Sequence, residues 1–305
     1  MLHILGIILP VFGLIGIGFF ARLIRFISDR TGDGLADYVF AIAIPCLIFK
    51  TLAESQIPVS QPWGYWLAYF SAVAVTWIVS QMIARRAFKL DHGEAVVAGF
   101  SGAQANTVLV GVPLILEAYG QDGAVPLFLL IAVHLPIMFG TATLLIEGRK
   151  ASPRVILRQV LGNPILIAIL VSSAVQFSGA AIPHAISQLV DAIAASATPC
   201  ALIAMGIALN RYGIGKHINL TFALSATKLL LHPALVFVLA HYVFTMPPVW
   251  AGVAVLFAAS PSGINAYLFA ERYKTGVPIA SGAIAVSTAF SVISTAFWLF
   301  VLKVQ

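Results

Sequence analysis

Apolar runs of membrane-spanning length fill the chain, at about 3–25, 34–54, 63–84, 94–116, 123–146, 158–178, 184–209, 218–244, 248–270 and 277–302. Short polar breaks separate them. A helix needs about 20 apolar residues to cross a bilayer, so the pattern predicts ten transmembrane helices, here called spans 1 to 10. Strands of a lipid-facing barrel would instead give alternating segments of about ten residues. Span 1 has no basic residue ahead of it and is followed by Arg22, Arg25 and Arg30. A cleavable signal peptide carries its positive charge first, so span 1 is expected to be a retained helix with its N-terminus outside.

The loops test that orientation. Arg85, Arg86 and Lys89 follow span 3; Arg149, Lys150, Arg154 and Arg158 follow span 5. Arg211 and Lys216 follow span 7, and Arg272 and Lys274 follow span 9. The intervening loops, around Gln56, Gln121, Gly179 and Pro247, contain no Lys or Arg. Basic loops stay in the cytoplasm, which places both termini outside.

Composition removes the alternatives. Of 305 residues, 60% are hydrophobic and 9% charged, against about 25% charged in a soluble domain. The mean hydropathy is +0.99. No sizeable soluble domain fits. The net charge of +6 would suggest nucleic acid in a soluble protein. Here 14 of the 17 basic residues sit in the odd loops, so it is an orientation signal and no nucleic acid is expected. Two cysteines cannot build a disulfide framework.

The chain also repeats. A shift of 154 residues carries Pro10 onto Pro164, Asp37 onto Asp191, Pro45-Cys46 onto Pro199-Cys200, Glu117 onto Glu271 and Tyr119 onto Tyr273. The repeats are 1–150 and 151–305. Each holds five spans, an odd number, so the halves enter the membrane in opposite senses. Chance similarity between apolar segments is the competing explanation. Inverted repeats belong to secondary transporters, whose sites lie near the midplane where related helices are interrupted.

Spans 4 and 9 carry such interruptions. Span 4 holds Asn106-Thr107 and then Gly111-Val112-Pro113; span 9 holds Ser260-Pro261-Ser262-Gly263-Ile264-Asn265. Proline removes a backbone donor and displaces the carbonyl four residues earlier. At membrane depth the freed polar groups must be buried in protein or line a wet cavity. The functional reading is a pair of broken, crossing helices. Their half-helix N-termini would offer N–H groups to an anion, with Asn106, Thr107, Ser260, Ser262, Gly263 and Asn265 as binding residues. Gly111, Pro113 and Pro261 would form the break. The bland reading is an ordinary proline kink bonded to neighbouring helices. Pro45 and Pro199 sit mid-span in spans 2 and 7 and could shape the opposite wall.

Lys228 lies about ten residues into span 8, with no plainly mid-span carboxylate to pair with. Charged groups at that depth face a partner or a polar cavity. Two roles are open: counter-ion for an anionic substrate, or a cap on the carbonyls of a broken helix. His232, one turn on, and His134 in span 5 could relay protons or simply hydrogen-bond a neighbour. No metal-ligand spacing, phosphate loop or nucleophile motif occurs, so neither metal, cofactor nor enzymatic activity is expected.

Taken in order, these motifs resemble the auxin efflux carrier family, which includes plant auxin exporters and bacterial carriers of small organic acids. The resemblance rests on Ala43-Ile-Pro45-Cys-Leu-Ile-Phe, Asn106-Thr with Gly111-x-Pro113, Gly162-Asn163-Pro164, Lys228 with His232-Pro233, and Ala259-Ser-Pro261 with Asn265. It covers essentially the whole chain, and the absence of a long loop after span 5 makes this a compact bacterial type. It implies a scaffold of spans 1, 2, 6 and 7 and a mobile domain of spans 3–5 and 8–10. It further implies elevator-type alternating access, a homodimer, and carboxylate contacts from Asn106 and Asn265. Ser71 to Ala84 lack the charge some plant members use there, which favours a small malonate-like carboxylate over an auxin-like aromatic one. An ion-coupled exchanger, driven by H⁺ or Na⁺, is the alternative on the same fold.

Overall fold

The computed structural model describes residues 2–53, 63–148, 162–180, 182–213 and 217–304. Arg149, Lys150, Arg154, Arg158, Lys216 and Gln56, used above to orient the chain, lie outside the described residues, as does the junction at 150/151 between the predicted repeats.

The described residues are helical, with no strand among them. The helices are α1 (Leu2–Leu23), α2 (Asp29–Ala53), α3 (Trp63–Ala87), α4 (His92–Ala103), α5 (107–119) and α6 (Ala124–Glu147). They continue with α7 (Pro164–Ser178), α8 (His184–Leu209), α9 (Ile218–Val243), α10 (Pro248–Ala259), α11 (Ile264–Tyr273) and α12 (Val277–Val301). Seven stretches are long and apolar enough to cross a membrane: α1, α2, α3, α8, α9, α12 and the run Thr107–Glu147 holding α5 and α6. α7 and α10 are apolar but shorter. The difference from the ten predicted spans has a physical cause. Spans 4 and 9 are each divided by a non-helical stretch, and the helix of span 6 is described only from Pro164.

Local sequence sets the helix ends. Asp91 Oδ1 accepts the Glu94 N–H at 2.8 Å to start α4. Asn163 Oδ1 accepts the Ile165 N–H at 2.9 Å to start α7, with Pro164 at the first position. Both satisfy donors that a helix start leaves orphaned. Five turns among the described residues widen to π geometry, and three of them, Val39–Ala43, Thr107–Gly111 and Thr227–Leu231, end two residues before a proline (Pro45, Pro113 and Pro233). The proline ring crowds the carbonyl four residues back, and a wider turn relieves it. In α9 that carbonyl is Leu229, which accepts from Ser294 Oγ at 2.7 Å and Trp298 Nε1 at 3.2 Å.

Packing falls into two groups. α1 lies along α8, and α2 lies against α7 and α8. α3 packs on α4 and α9, α10 on α9, and α12 on α4, α9 and α10. α5 bridges the groups by touching α1 and α8, and α12 also touches α1 while α6 touches α2 and α7. The α1–α8 approach is close: a Cβ on Gly206 would sit 2.0 Å from the Ile15 carbonyl oxygen, and one on Gly18 2.3 Å from that of Ile203. Small residues let helix backbones meet in lipid, where dispersion contacts drive association. Large side chains such as Leu9, Phe20, Phe177 and Phe300 point outward.

Lys50 and Asp191 pair at 2.8 Å between α2 and α8, both partly exposed. Such a pair contributes about 1 kcal/mol or less. Lys50→Ala should therefore lower the thermal midpoint of the purified protein by only a few degrees, which a detergent melting curve would measure.

Candidate functional site

The two interruptions meet. α4 ends where Gln104 turns extended, α10 ends at extended Ser260, and the strand-like stretches run antiparallel with Ala105 opposite Ser262. The Asn106 N–H donates to the Pro261 carbonyl at 2.8 Å, and the Gly263 N–H donates to the Gln104 carbonyl at 3.0 Å. Each break thus supplies the bonds the other lost, which answers the cost of bare backbone at membrane depth. The Ser262 hydroxyl donates to the Ser101 carbonyl at 2.7 Å, and its N–H donates to Ser287 Oγ at 2.9 Å. Ser260 Oγ returns to the Leu256 carbonyl at 3.1 Å. Gly263 leaves no room for a side chain, since a Cβ would lie 2.8 Å from the Ala105 carbonyl oxygen.

The predicted binding residues divide by what they already hold. Asn106 is buried: its Oδ1 accepts the Leu109 N–H at 3.3 Å and caps α5, while its Nδ2 faces Met205 Sδ at 3.1 Å. Gly111 completes that first turn by donating to the Asn106 carbonyl at 2.9 Å, and Pro113 begins the regular part of α5. Thr107 is buried with its hydroxyl unpartnered, as is the Gln104 Oε1 atom. Asn265 is different. It is half-buried, its amide has no hydrogen bond to the described residues, and it lines a cavity of about 330 Å³. Phe40 of α2, Ile131, Leu135 and Phe139 of α6, Asn163 at the start of α7, and Arg272 share that lining. Arg272 stands seven residues after Asn265, two turns along the same helix face. Pro45 and Pro199 sit in the packed pair α2 and α8 and not in the two breaks.

Lys228 is fully buried in the π turn of α9. Its Nζ donates to the Ala258 carbonyl in the last turn of α10 and lies 3.4 Å from His232 Nδ1. That bond puts Lys228 at the negative end of α10. Helices α5 and α11 start at the junction, so their positive ends remain directed there. That arrangement suits an anion. His134 and His232 flank Tyr69, with His134 Nδ1 3.3 Å from the Tyr69 hydroxyl. Among the described residues, no three His, Cys, Asp or Glu side chains gather as a metal site would need.

Comparison with known proteins now decides the family. A family model described as membrane transport protein matches residues 3–156 and 149–299. The chain belongs to the auxin efflux carrier family. A protein of Rhizobium meliloti named "Putative malonate transporter" is 28% identical over 314 residues, covering 99% of this chain and 97% of that protein. An uncharacterized transporter of Methanocaldococcus jannaschii is 22% identical over 312 residues, covering 96% of this carrier and 97% of the relative. Another, from Methanothermobacter thermautotrophicus, is 24% identical over 300 residues, covering 97% of each. Family and relatives are transporters.

Sequence reasoning passed over Arg272, Gln104 and Tyr69. Arg272 had been explained as an orientation signal, and Gln104 lies two residues before the asparagine that drew attention. Nothing in the sequence marks Tyr69, whose place depends on α3 meeting α6 and α9.

Proposed function

We propose that this carrier is a secondary transporter of small organic anions, with malonate-like dicarboxylates favoured, working by alternating access at the junction of the two breaks. Ten spans form two inverted five-span repeats, and broken spans 4 and 9 cross at Ala105 and Ser262. The α1, α2, α7 and α8 group is the scaffold; α3–α6 and α9–α12 move against it as an elevator. The carrier sits as a homodimer in the cytoplasmic membrane with both termini outside. The packing of the helices into two groups supports that division, and the close α1–α8 approach supports a rigid scaffold.

One observation carries the reading: Asn265, one residue into a half-helix that begins at the junction, presents an unpartnered amide to a cavity lined from both groups. The substrate carboxylate accepts from this amide and from the first N–H groups of α11. Arg272 and Asn163 lie at the end that the basic loops mark as cytoplasmic, so the cavity is the inward-facing vestibule. The malonate name of one relative agrees with a site offering two anion-binding groups.

Arg272 then reads the second carboxylate. A hydrogen bond to a charged group contributes about 1.5–3 kcal/mol. Arg272→Gln should raise the KM for malonate about tenfold or more while leaving that for a monocarboxylate nearly unchanged. Uptake kinetics in liposomes check this; equal losses for both substrates would remove Arg272 from the site.

A further inference from the structure

Next to the junction lies a second polar cluster that the binding site does not use. Lys228 and His232 of α9, His134 of α6 and Tyr69 of α3 surround one another in the interior, all with no exposure. The Tyr69 ring centroid is 5.6 Å from that of His134 and 5.4 Å from that of His232. Phe257 of α10 closes the cluster, 5.3 Å from Tyr69 and 5.2 Å from His134. The ionisable groups that α3, α6, α9 and α10 bring to this place are Tyr65, Tyr69, His134, Lys228 and His232. None is a carboxylate. Tyr65 is held apart by its bond to the Pro126 carbonyl at 2.8 Å.

The hydrogen bonds give one proton a place, the lone pair of Lys228 Nζ. Lys228 as an ammonium donates to the Ala258 carbonyl and toward His232 Nδ1, which forces the hydrogen of His232 onto Nε2. His134, accepting from Tyr69 at Nδ1, is likewise protonated at Nε2. Both Nε2 atoms are buried without a partner. With three basic groups and no anion, one positive charge is tolerable and a second is costly. The anion that would offset the charge is the substrate itself: Ala258 stands two residues before Ser260, at the junction. Leu135, next to the fully buried His134 in α6, lines the cavity.

We infer that the Lys228–His232–His134–Tyr69 cluster carries one proton with each substrate anion, making the carrier a proton–anion symporter. Proton and anion each stabilise the other's binding, by the reciprocity that links any two sites. In the outward-to-inward step a proton adds to the lone pair of a neutral Lys228 Nζ as the carboxylate binds, giving the ammonium. The proton leaves from the same cluster after the carboxylate is released, so no other acceptor is needed. This inference rests on the anion-carrier reading given above, and its test separates the two.

The carrier is reconstituted with pyranine and valinomycin–potassium to hold the voltage at zero, at about pH 7.5 outside and about pH 8.5 inside. Labelled malonate is then followed by net accumulation and, separately, by counterflow at equal pH. One proton per anion predicts accumulation of about tenfold for the one-unit gradient, with acidification of the lumen. Lys228→Gln keeps a donor for the Ala258 carbonyl but not the charge, and should lower accumulation to unity, with counterflow persisting at a raised KM for malonate. His232→Gln, which leaves the Lys228–Ala258 bond in place, guards against a folding defect in the first variant and should reduce accumulation likewise. Wild-type counterflow with neither accumulation nor acidification would overturn the symport and leave the carrier standing. So would undiminished accumulation in both variants. Absence of counterflow with any carboxylate in the wild type would instead overturn the anion-carrier reading beneath it.

Discussion

Asn265→Ala is expected to abolish malonate uptake, by at least about a hundredfold, with no measurable loss of stability. The amide has no partner to lose among the described residues, so nothing there is orphaned on its removal. What disappears is one donor to a desolvated carboxylate, together with the positioning it imposes at the start of α11. Losing one such donor costs about 1.5–3 kcal/mol, as for a hydrogen bond to a charged group, and the lost positioning adds to it. Asn106→Ala should behave differently. Its amide caps α5, and losing a cap costs about 1 kcal/mol of stability. It should therefore melt earlier and transport poorly, because the chain around the Asn106–Pro261 bond is no longer held. Melting curves and uptake on the two variants separate a contact residue from a capping one. If Asn265→Ala transports like the wild type, the substrate does not bind there.

Gly206→Val should have the largest structural effect. Its Cβ would fall 2.0 Å from the Ile15 carbonyl oxygen and 2.7 Å from the Phe19 amide nitrogen, and both obstacles are backbone. No rotamer relieves that clash, so α1 and α8 must separate. Overpacking of this kind costs about 1–3 kcal/mol, more where helix backbones must move. The variant should lose a large share of the folded material recovered in detergent, as size-exclusion profiles would register. Gly6→Ala, in α1, meets nothing within 4 Å and should be silent.

How far the sequence carried the account can be judged from particular residues. The long apolar helices were legible, because lipid requires contiguous apolar length and places basic residues in alternate loops. The interruptions at Asn106 and Ser260–Gly263 were legible too, since Pro, Gly and amides at mid-span have few explanations. Their mutual hydrogen bonding was not: Asn106 and Pro261 are far apart in the chain, and backbone donors look alike at every position. The same limit left open which carbonyl Lys228 would meet. A search for a carboxylate fails when the acceptor is the Ala258 carbonyl. The π turns were missed because the prolines were read as simple kinks. Arg272 was missed because one residue can both orient a loop and line a cavity. The surplus of charge-poor sequence left one buried cation to explain, and its neighbours, not its charge alone, gave it meaning.

The central claim is that an organic anion binds at the junction of the two breaks and that the site alternates between the two sides. Counterflow in proteoliposomes tests it most directly. Labelled malonate outside should enter faster when unlabelled malonate is loaded inside, with uptake that saturates as concentration rises. Flux that rises linearly with concentration, unaffected by internal malonate, would contradict alternating access and point to a pore.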